Sequence, residues 1–249
     1  MRHIGRLTAL AAFSMATLAL DAGRAHADGF TPSQRQEIIA IVRQALKADP
    51  SILSDAIISL RAHEEQAQAS DSAAAIQRNQ AALTGAAGDE IAGDANGRVT
   101  LVEFYDPRCP YCRKSLPELD ELLSDDPKLR LVEKLIPILG PDSVLEARAI
   151  AAAGRQGKYA VLQHALMTDP GQPDAAQIRA IAGRAGLNVG KLQHDMADPA
   201  IDAQLHANVA LARTLGISGT PSFVIGSRII PGAVDLGDLR AAVASARAG

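Results

Sequence analysis

The segment 99–136 constrains the fold of this 249-residue chain more than any other part of it. Residues 99–105 (VTLVEFY) are β-branched, aliphatic or aromatic apart from one acid, which is the clearest strand signal in the chain. After the turn DPR, a helix is expected to begin at the CPYC segment 109–112, and residues 129–136 are expected to form a second strand. A strand–helix–strand order predicts two parallel strands in one sheet. The sequence therefore predicts an α/β fold with two cysteines where a strand turns into a helix.

The rest of the chain is predicted to be mostly helical. Aromatic residues make up 3% of the chain and Trp is absent, so the core must be built from Ala, Leu, Ile and Val. Further helices are expected at about 144–156, 159–167, 175–185, 202–215 and 236–246, and two short strands at 222–225 and 228–230. The Gly226-Ser227 pair between these strands suits a two-residue hairpin turn. This order resembles a thioredoxin-like core with an inserted helical subdomain at about 142–216.

The first 27 residues are predicted to be a cleaved secretory signal rather than part of the fold. Arg2 and Arg6 flank the start of the chain, an apolar run follows at 7–20, and Ala25-His26-Ala27 has the small-x-small pattern of a cleavage site. A membrane anchor is the alternative, although the run is short for a bilayer span. No later segment is apolar enough to cross a bilayer, so no membrane span is expected in the mature chain. Its net charge of about −5 and the lack of a long basic run argue against nucleic acid as a partner.

Residues 28–84 are predicted to form a helical N-terminal arm. Thr31-Pro32-Ser33 is a helix-start signal, and Asp49-Pro50 restarts the helix. The apolar residues at helical spacing are Ile38, Ile41, Val42, Ala45 and Leu46, then Leu53, Ala56, Ile57 and Leu60. Such helices depend on packing against another surface. Self-association through the arm is the favoured interpretation; packing on the chain's own domain and binding of a different partner stay open. The Gly-rich segment 85–97 that follows is predicted to be a connection with one short strand around Ile91.

The spacing of Cys109 and Cys112 indicates a redox pair rather than a structural disulfide. Closing so short a loop is worth about 2 kcal/mol in the chain-entropy model, against about 3 kcal/mol for a 15-residue loop. At a helix N-terminus, unpaired N–H groups and a partial positive charge stabilise a thiolate. Cys109 is expected to be exposed and to attack a substrate disulfide, and Cys112, one turn further into the helix, to resolve the mixed disulfide. No bound metal is expected because no other cysteine is present, although transient Cu(I) binding by the reduced pair is chemically reasonable.

Two segments carry a resemblance to a known family. EFYDPRCPYC resembles the active-site strand and helix of the DsbA family, and ISGTPSF resembles the family's cis-proline loop. The resemblance covers about 85–249 and implies a thiol:disulfide oxidoreductase without a cofactor. It also implies a cis bond before Pro221 beside the cysteines, with the backbone of Thr220 turned toward substrate. Pro110 fits the first turn of the helix, and together with Tyr111 it is expected to shape the substrate groove.

Glu103 is the remaining candidate site residue. It shares one face of the first strand with Leu101 and Tyr105, and the family has an acid at this place. A buried carboxyl below the cysteines could accept the proton of Cys112. A partly exposed Glu at a strand edge is the alternative. Lys134 on the next strand is a candidate partner for Glu103.

The arm and the CPYC sequence are similar to a subgroup of the family, the suppressor-of-copper-sensitivity protein C-like proteins. That likeness implies a periplasmic protein that acts on protein disulfides, is recharged by an unidentified membrane redox partner, and assembles into a homo-oligomer through 28–84. The direction favoured is disulfide isomerase or reductase. A monomeric dithiol oxidase is the alternative within the same chemistry, and a copper-handling or chaperone-like binding protein is the alternative outside it.

Overall fold

The computed structural model describes residues 30–171 and 174–248. The predicted signal peptide at 1–27 lies outside the described residues. The chain divides into two compact units, Met1–Ser59 and Leu60–Gly249, and the division falls within a helix. None of the helices in the described part of the chain combines the length and apolarity that a bilayer span requires.

The first unit contains α1 (Pro32–Ala48) and the start of α2 (Ser51–Arg78). Thr31 begins α1 with a capping box, in which its side chain accepts from Gln34 N and the Gln34 side chain accepts from Thr31 N. The Asp49 carboxylate accepts from Ser51 N (3.0 Å) at the start of α2. No residue of α1 is buried.

The second unit is built on a five-stranded sheet in the order β1-β3-β2-β4-β5. Its strands are β1 (Glu90–Gly93), β2 (Val99–Tyr105), β3 (Leu129–Leu135), β4 (Ser222–Ile225) and β5 (Arg228–Pro231). β2 and β3 pair in parallel, and the other neighbours pair antiparallel. The α/β class and the parallel pair are therefore confirmed. The β4–β5 turn is the predicted two-residue one, with Gly226 at a φ of +57° that favours glycine.

The remaining helices of the described chain either pack on this sheet or lie in the segment between β3 and β4. They are α3 (Gln80–Thr84), α4 (Pro110–Asp125), α5 (Pro141–Gly154), α6 (Tyr159–Thr168), α7 (Ala175–Arg184), α8 (Val189–Met196), α9 (Pro199–Thr214) and α10 (Leu236–Ala248). The sequence analysis does not predict α8, although Asn188 caps it by accepting from Lys191 N. It also places the start of α9 three residues late, where Asp198 caps the helix ahead of Pro199.

The two faces of the sheet pack against different helices. On one face, alternate side chains of β2, such as Leu101, pack against α4 and α10. The other face, which includes Val102 and Phe104, packs with α9 and with Ile76 and Leu83. These last two residues belong to the predicted arm, yet only 3% and 1% of their surface is exposed. The compact second unit therefore starts before residue 85, because these two apolar side chains complete its core.

A third cluster of buried residues lies in the helical insertion between β3 and β4. It is built from side chains of α5 through α9 and reaches Tyr105 and Leu135 at the ends of β2 and β3. Cys109 and Cys112 belong to this cluster. The two cysteines thus lie where the carboxyl end of the parallel pair meets the inserted helices.

Candidate active site

The two cysteines occupy the start of α4. Cys109 is the N-cap residue, in an extended conformation, and Pro110 takes the first helical position, where its missing N–H leaves no bond unmade. The Cys109 N–H donates to Asp106 O (3.0 Å), and Arg113 N donates to Cys109 O (3.0 Å). Both cysteines are free thiols.

Cys109 is buried, with 5% of its surface exposed, so the prediction of an exposed nucleophile is wrong. The reason is the Thr220–Pro221 segment, which lies against the sulfur: Cys109 Sγ donates a hydrogen bond to Thr220 O over 3.2 Å. The Thr220–Pro221 peptide bond is cis, as the sequence motif led us to expect. Residues 111 positions apart in sequence thus meet at one sulfur atom.

Cys112 is more deeply buried, with 1% of its surface exposed. Burial raises the pKa of its thiol well above the ordinary value, and the Glu103 carboxylate raises this pKa further. The two sulfurs of the pair are therefore not equivalent. Cys112 is held as a thiol beside a potential proton acceptor.

Glu103 lies on β2 below the cysteine pair and is 3% exposed, which confirms its predicted burial. Burial raises its pKa well above the ordinary value, with further contributions from Glu133 and Cys109. Lys134 is not its partner. The register pairs Lys134 with Phe104 and therefore turns it to the opposite face of the sheet. There its ammonium donates to Asp89 (2.6 Å) and to the Ala82 carbonyl (2.6 Å).

Asp106 anchors the loop that carries Cys109. Its buried carboxylate accepts from Arg108 N (2.8 Å) on its own loop. It also accepts from three donors on the segment after β3: Ile138 N (2.8 Å), Leu139 N (3.1 Å) and Ser143 Oγ (2.6 Å). From the sequence, this residue is expected only in the DPR turn, as a negative charge that opposes Arg108. The structure shows that it ties the β2–α4 turn to the start of the helical insertion.

A buried acid on the insertion engages the arginines that flank the cysteines. Arg108 Nη1 donates to Glu146 Oε1 at 2.7 Å, and Arg113 Nη2 lies 3.8 Å from Glu146 Oε2. The Glu146 side chain is fully buried. Burial raises its pKa, and Arg108 opposes that shift. The positive charge of Arg108 is thus largely taken up by Glu146.

An open cleft borders the Thr220–Pro221 segment. Its volume is about 1040 Å³, and it lies within the second unit. The lining includes Gln68 and Ser72 of α2, Arg228 of β5, and both residues of the cis bond. Tyr111, between the cysteines, is 64% exposed and free to contact a bound molecule.

Glu133 and Glu146 are further buried acids that the sequence analysis does not name, although the sequence around each indicates its burial. Glu133 is two residues from both Leu131 and Leu135 in β3, so it lies on the same inward face of the strand as these leucines. Glu146 lies one turn from Ile150 in a helix that is otherwise rich in alanine. Within residues 30–171 and 174–248, no three His, Cys, Asp or Glu side chains form a group that could hold a metal ion.

Comparison with known proteins agrees with this geometry. The DSBA-like thioredoxin domain family matches residues 100–244. A thioredoxin-like oxidoreductase from Silicibacter pomeroyi is 40% identical, with a TM-score of 0.67, and the match covers 69% of this chain and 99% of that one. Proteus mirabilis ScsC in a transitional conformation is 28% identical, with a TM-score of 0.64 and coverage of 88% and 98%. The Na(+)/H(+) antiporter NhaA 1 of Salinispora arenicola is 32% identical over 163 residues. This chain spans 25% of the length of that protein, and about a quarter of the length of the other curated relatives it matches.

Proposed function

The chain belongs to the DSBA-like thioredoxin domain family, and we propose that it is a thiol:disulfide oxidoreductase acting on protein substrates through Cys109 and Cys112. One observation carries this proposal. Cys109 caps α4 with its sulfur 3.2 Å from Thr220 O, while Cys112 lies buried one turn into the same helix. Disulfide exchange needs a nucleophilic thiol, here at the start of the helix, and a second thiol close behind it that resolves the mixed disulfide.

The reaction follows from this arrangement. The Cys109 thiolate attacks one sulfur of a substrate disulfide, forms a mixed disulfide and expels the other substrate sulfur as a thiolate. Cys112 then attacks Cys109 Sγ, which forms the Cys109–Cys112 disulfide and releases the second substrate sulfur. The proton of the Cys112 thiol passes to the carboxylate of Glu103, which acts as a general base. Read in reverse, the same steps transfer a disulfide to a dithiol substrate.

The residues around the sulfurs suit an extended polypeptide. The Thr220 backbone beside Cys109 is placed to pair with a substrate segment in the manner of a β-strand. Pro221 contributes no N–H that would compete for the sulfurs. Pro110 and Tyr111, next to Cys109 in the chain, are exposed, and the cleft that Thr220 and Pro221 line has room for substrate side chains.

Two single variants test the chemistry. Cys112→Ala removes the resolving thiol, so mixed disulfides between Cys109 and scrambled ribonuclease, which supplies the disulfide, should accumulate and should disappear on treatment with dithiothreitol. Cys109→Ala is the matched control and should trap none. If neither variant traps a substrate while the wild-type chain binds Cu(I) through both thiols, the metal-handling alternative replaces this proposal. Because the chain lacks Trp, redox state is read by thiol-alkylation gel shifts.

Within this chemistry we favour disulfide isomerase or reductase activity, in the periplasm, by an assembly that forms through the arm. Six apolar side chains of the first unit are more than 50% exposed: Phe30, Ile39, Ile41, Val42, Leu53 and Ile58. A second copy of the same chain would cover such a surface. Several catalytic units held in one assembly favour repeated attack on one misfolded substrate, whereas a monomer suits a dithiol oxidase. An unidentified membrane redox partner would keep Cys109 reduced.

Recovery of activity from scrambled ribonuclease in a glutathione buffer separates these directions. An isomerase restores activity faster than the buffer alone and needs a reduced Cys109. If the wild-type chain fails in this assay but rapidly oxidises reduced ribonuclease, the oxidase alternative is correct.

A further inference from the structure

A row of three carboxyl groups crosses the sheet below the cysteine pair. The register places Glu133 of parallel strand β3 directly opposite Glu103 of β2. It places Glu90 of antiparallel strand β1 opposite Glu133 on the other side. Side chains of directly opposite residues share one face of the sheet, with Cβ atoms about 5 Å apart. The row therefore runs from Glu103, below Cys112, to the edge strand.

Glu133 is the central member of the row and is 5% exposed. Its Oε1 accepts a hydrogen bond from Gln163 Nε2 of α6. Burial raises its pKa to about 7; the Gln163 bond opposes the shift, and Glu90 and Asp120 add to it. The ionisable groups that face Glu133 are Glu103 and Tyr105 of β2, Glu90 of β1, Asp120 of α4 and Tyr159 of α6. Asp120 is itself 3.4 Å from His164 Nε2.

Two buried carboxylates side by side repel each other, and burial without a cation penalises both charges. The nearby ammonium of Lys134 is on the other face of the sheet and is bound to Asp89. The arrangement is stable if Glu103 and Glu133 together retain one proton at neutral pH. Such a pair can take up one proton and release another without holding two negative charges at once.

We propose that Glu133 is the second station of a proton path that links Cys112, through Glu103, to Glu90 at the edge of the sheet. The inference rests on the proposed function and extends it. The acid pair shares one proton, and the step proceeds from the form in which that proton is on Glu133 and Glu103 is ionised. When Cys112 Sγ bonds to Cys109 Sγ and the substrate thiolate leaves, Glu103 takes the Cys112 proton, and Glu133 releases its own toward Glu90 and water. Glu133 touches no reacting atom; it is a positioning residue that acts through Glu103.

Glu90 suits the end of such a path. It is on the edge strand β1 and is only half-buried, so its carboxyl can exchange protons with solvent. Its Oε2 would lie 3.7 Å from a Cβ at Gly154, close to the ring of Tyr159, so its side chain turns inward along the same face. Burial raises the pKa of Glu90 as well.

A single-turnover reaction of the full chain with dithiobis(nitrobenzoate) tests the path, because each sulfur step releases one coloured thiolate. The first phase reports the attack by Cys109, and the second reports the attack by Cys112. Glu133→Gln should leave the first phase unchanged. It should slow the plateau of the second about tenfold, less than the about 100-fold expected for loss of a general base itself. The pH midpoint of the second phase should fall, since the Glu133 carboxyl contributes to the raised pKa of Glu103 and a Gln amide does not.

Asp89→Asn is the matched control, since it also removes a buried carboxylate, one that binds Lys134 on the opposite face of the sheet. It should lower the melting temperature and leave the second phase unchanged. If Glu133→Gln shows the wild-type rate and midpoint in the second phase, the path is wrong. If the wild-type chain shows no first phase, the proposed function itself fails, which is a separate outcome.

The wild-type chain supplies a second readout that does not depend on folding of the variant. The infrared difference spectrum between the reduced and oxidised states at neutral pH should contain a band of a protonated carboxyl group that changes with the redox state. Absence of that band would contradict a proton held by the acid pair.

Discussion

At the scale of single residues, the site gives different surroundings to two cysteine sulfurs that are only three positions apart in sequence. Cys109 lies at the start of α4 against Thr220 O, and Cys112 lies behind it above Glu103. The Glu146 carboxylate takes up much of the charge of Arg108. The two thiols are thus distinguished by their surroundings, although both belong to the same residue type.

Glu133 makes a residue-scale prediction about stability. Its pKa is about 7 in the fold against an ordinary value of 4.5, so between these pH values the folded chain holds a proton that the unfolded chain has lost. The free energy of unfolding should therefore fall as pH rises through this window, by about 3 kcal/mol at about 1.4 kcal/mol per pKa unit. Urea unfolding of the wild type and of Glu133→Gln at about pH 5 and about pH 8 measures the difference.

Glu118→Gln is the control for this comparison, because Glu118 is a partly exposed glutamate of α4. This variant should keep the pH dependence of the wild type, and Glu133→Gln should be distinctly less dependent on pH. Equal slopes for Glu133→Gln and the wild type would show that Glu133 titrates in the fold as it does in the unfolded chain.

At the scale of secondary-structure elements, one buried ion pair joins the segment before β1 to the sheet. The side chains of Lys134 and Asp89 are 0% and 3% exposed, and the ammonium also donates to the Ala82 carbonyl of α3. Lys134→Met would leave a buried carboxylate without its cation, which costs about 3–5 kcal/mol. Urea unfolding should show this loss, and the double variant Lys134→Met/Asp89→Leu should recover a large part of it. A double variant no more stable than the single one would contradict this account.

Local sequence predicted the elements that have strong local signals. β2 and β4 have the predicted bounds, because β-branched and aromatic residues fill them and turns delimit them. α8 was missed because it is only eight residues long, with a cap as its main signal. The Glu103–Glu133 pair could not be predicted from either strand alone. It depends on the register between β2 and β3, which packing of the whole sheet determines.

The same distinction holds for the site. The CPYC segment and the Thr-Pro pair were visible as sequence motifs, and in the structure they meet where Cys109 Sγ donates to Thr220 O. The burial of Cys109 was not visible, because the segment that covers it lies more than 100 positions away in the chain. The Asp106 network also joins two loops whose approach depends on the sheet and on the helical insertion together.

At the scale of the whole molecule, the apolar surface of the first unit is the feature that the catalytic unit does not need. Ile38 and Val42 lie one turn apart on α1 and are 38% and 51% exposed. If this surface assembles copies of the chain, two charges on it should disrupt the assembly by desolvation and repulsion. The double variant Ile38→Glu/Val42→Glu should therefore have the mass of a monomer in light scattering after gel filtration, where the wild type has a multiple of it.

The control Gln36→Glu/Gln44→Glu adds the same two charges at polar, exposed positions of α1 and should leave the mass unchanged. The disrupted variant should keep its reaction with dithiobis(nitrobenzoate), because the two substituted residues belong to the first unit and both cysteines belong to the second. It should lose its rescue of scrambled ribonuclease, because isomerisation is the activity that needs several sites in one assembly. If the variant is monomeric and still an isomerase, the arm serves another purpose. If the wild type is itself a monomer, the dithiol oxidase becomes the better account of this chain.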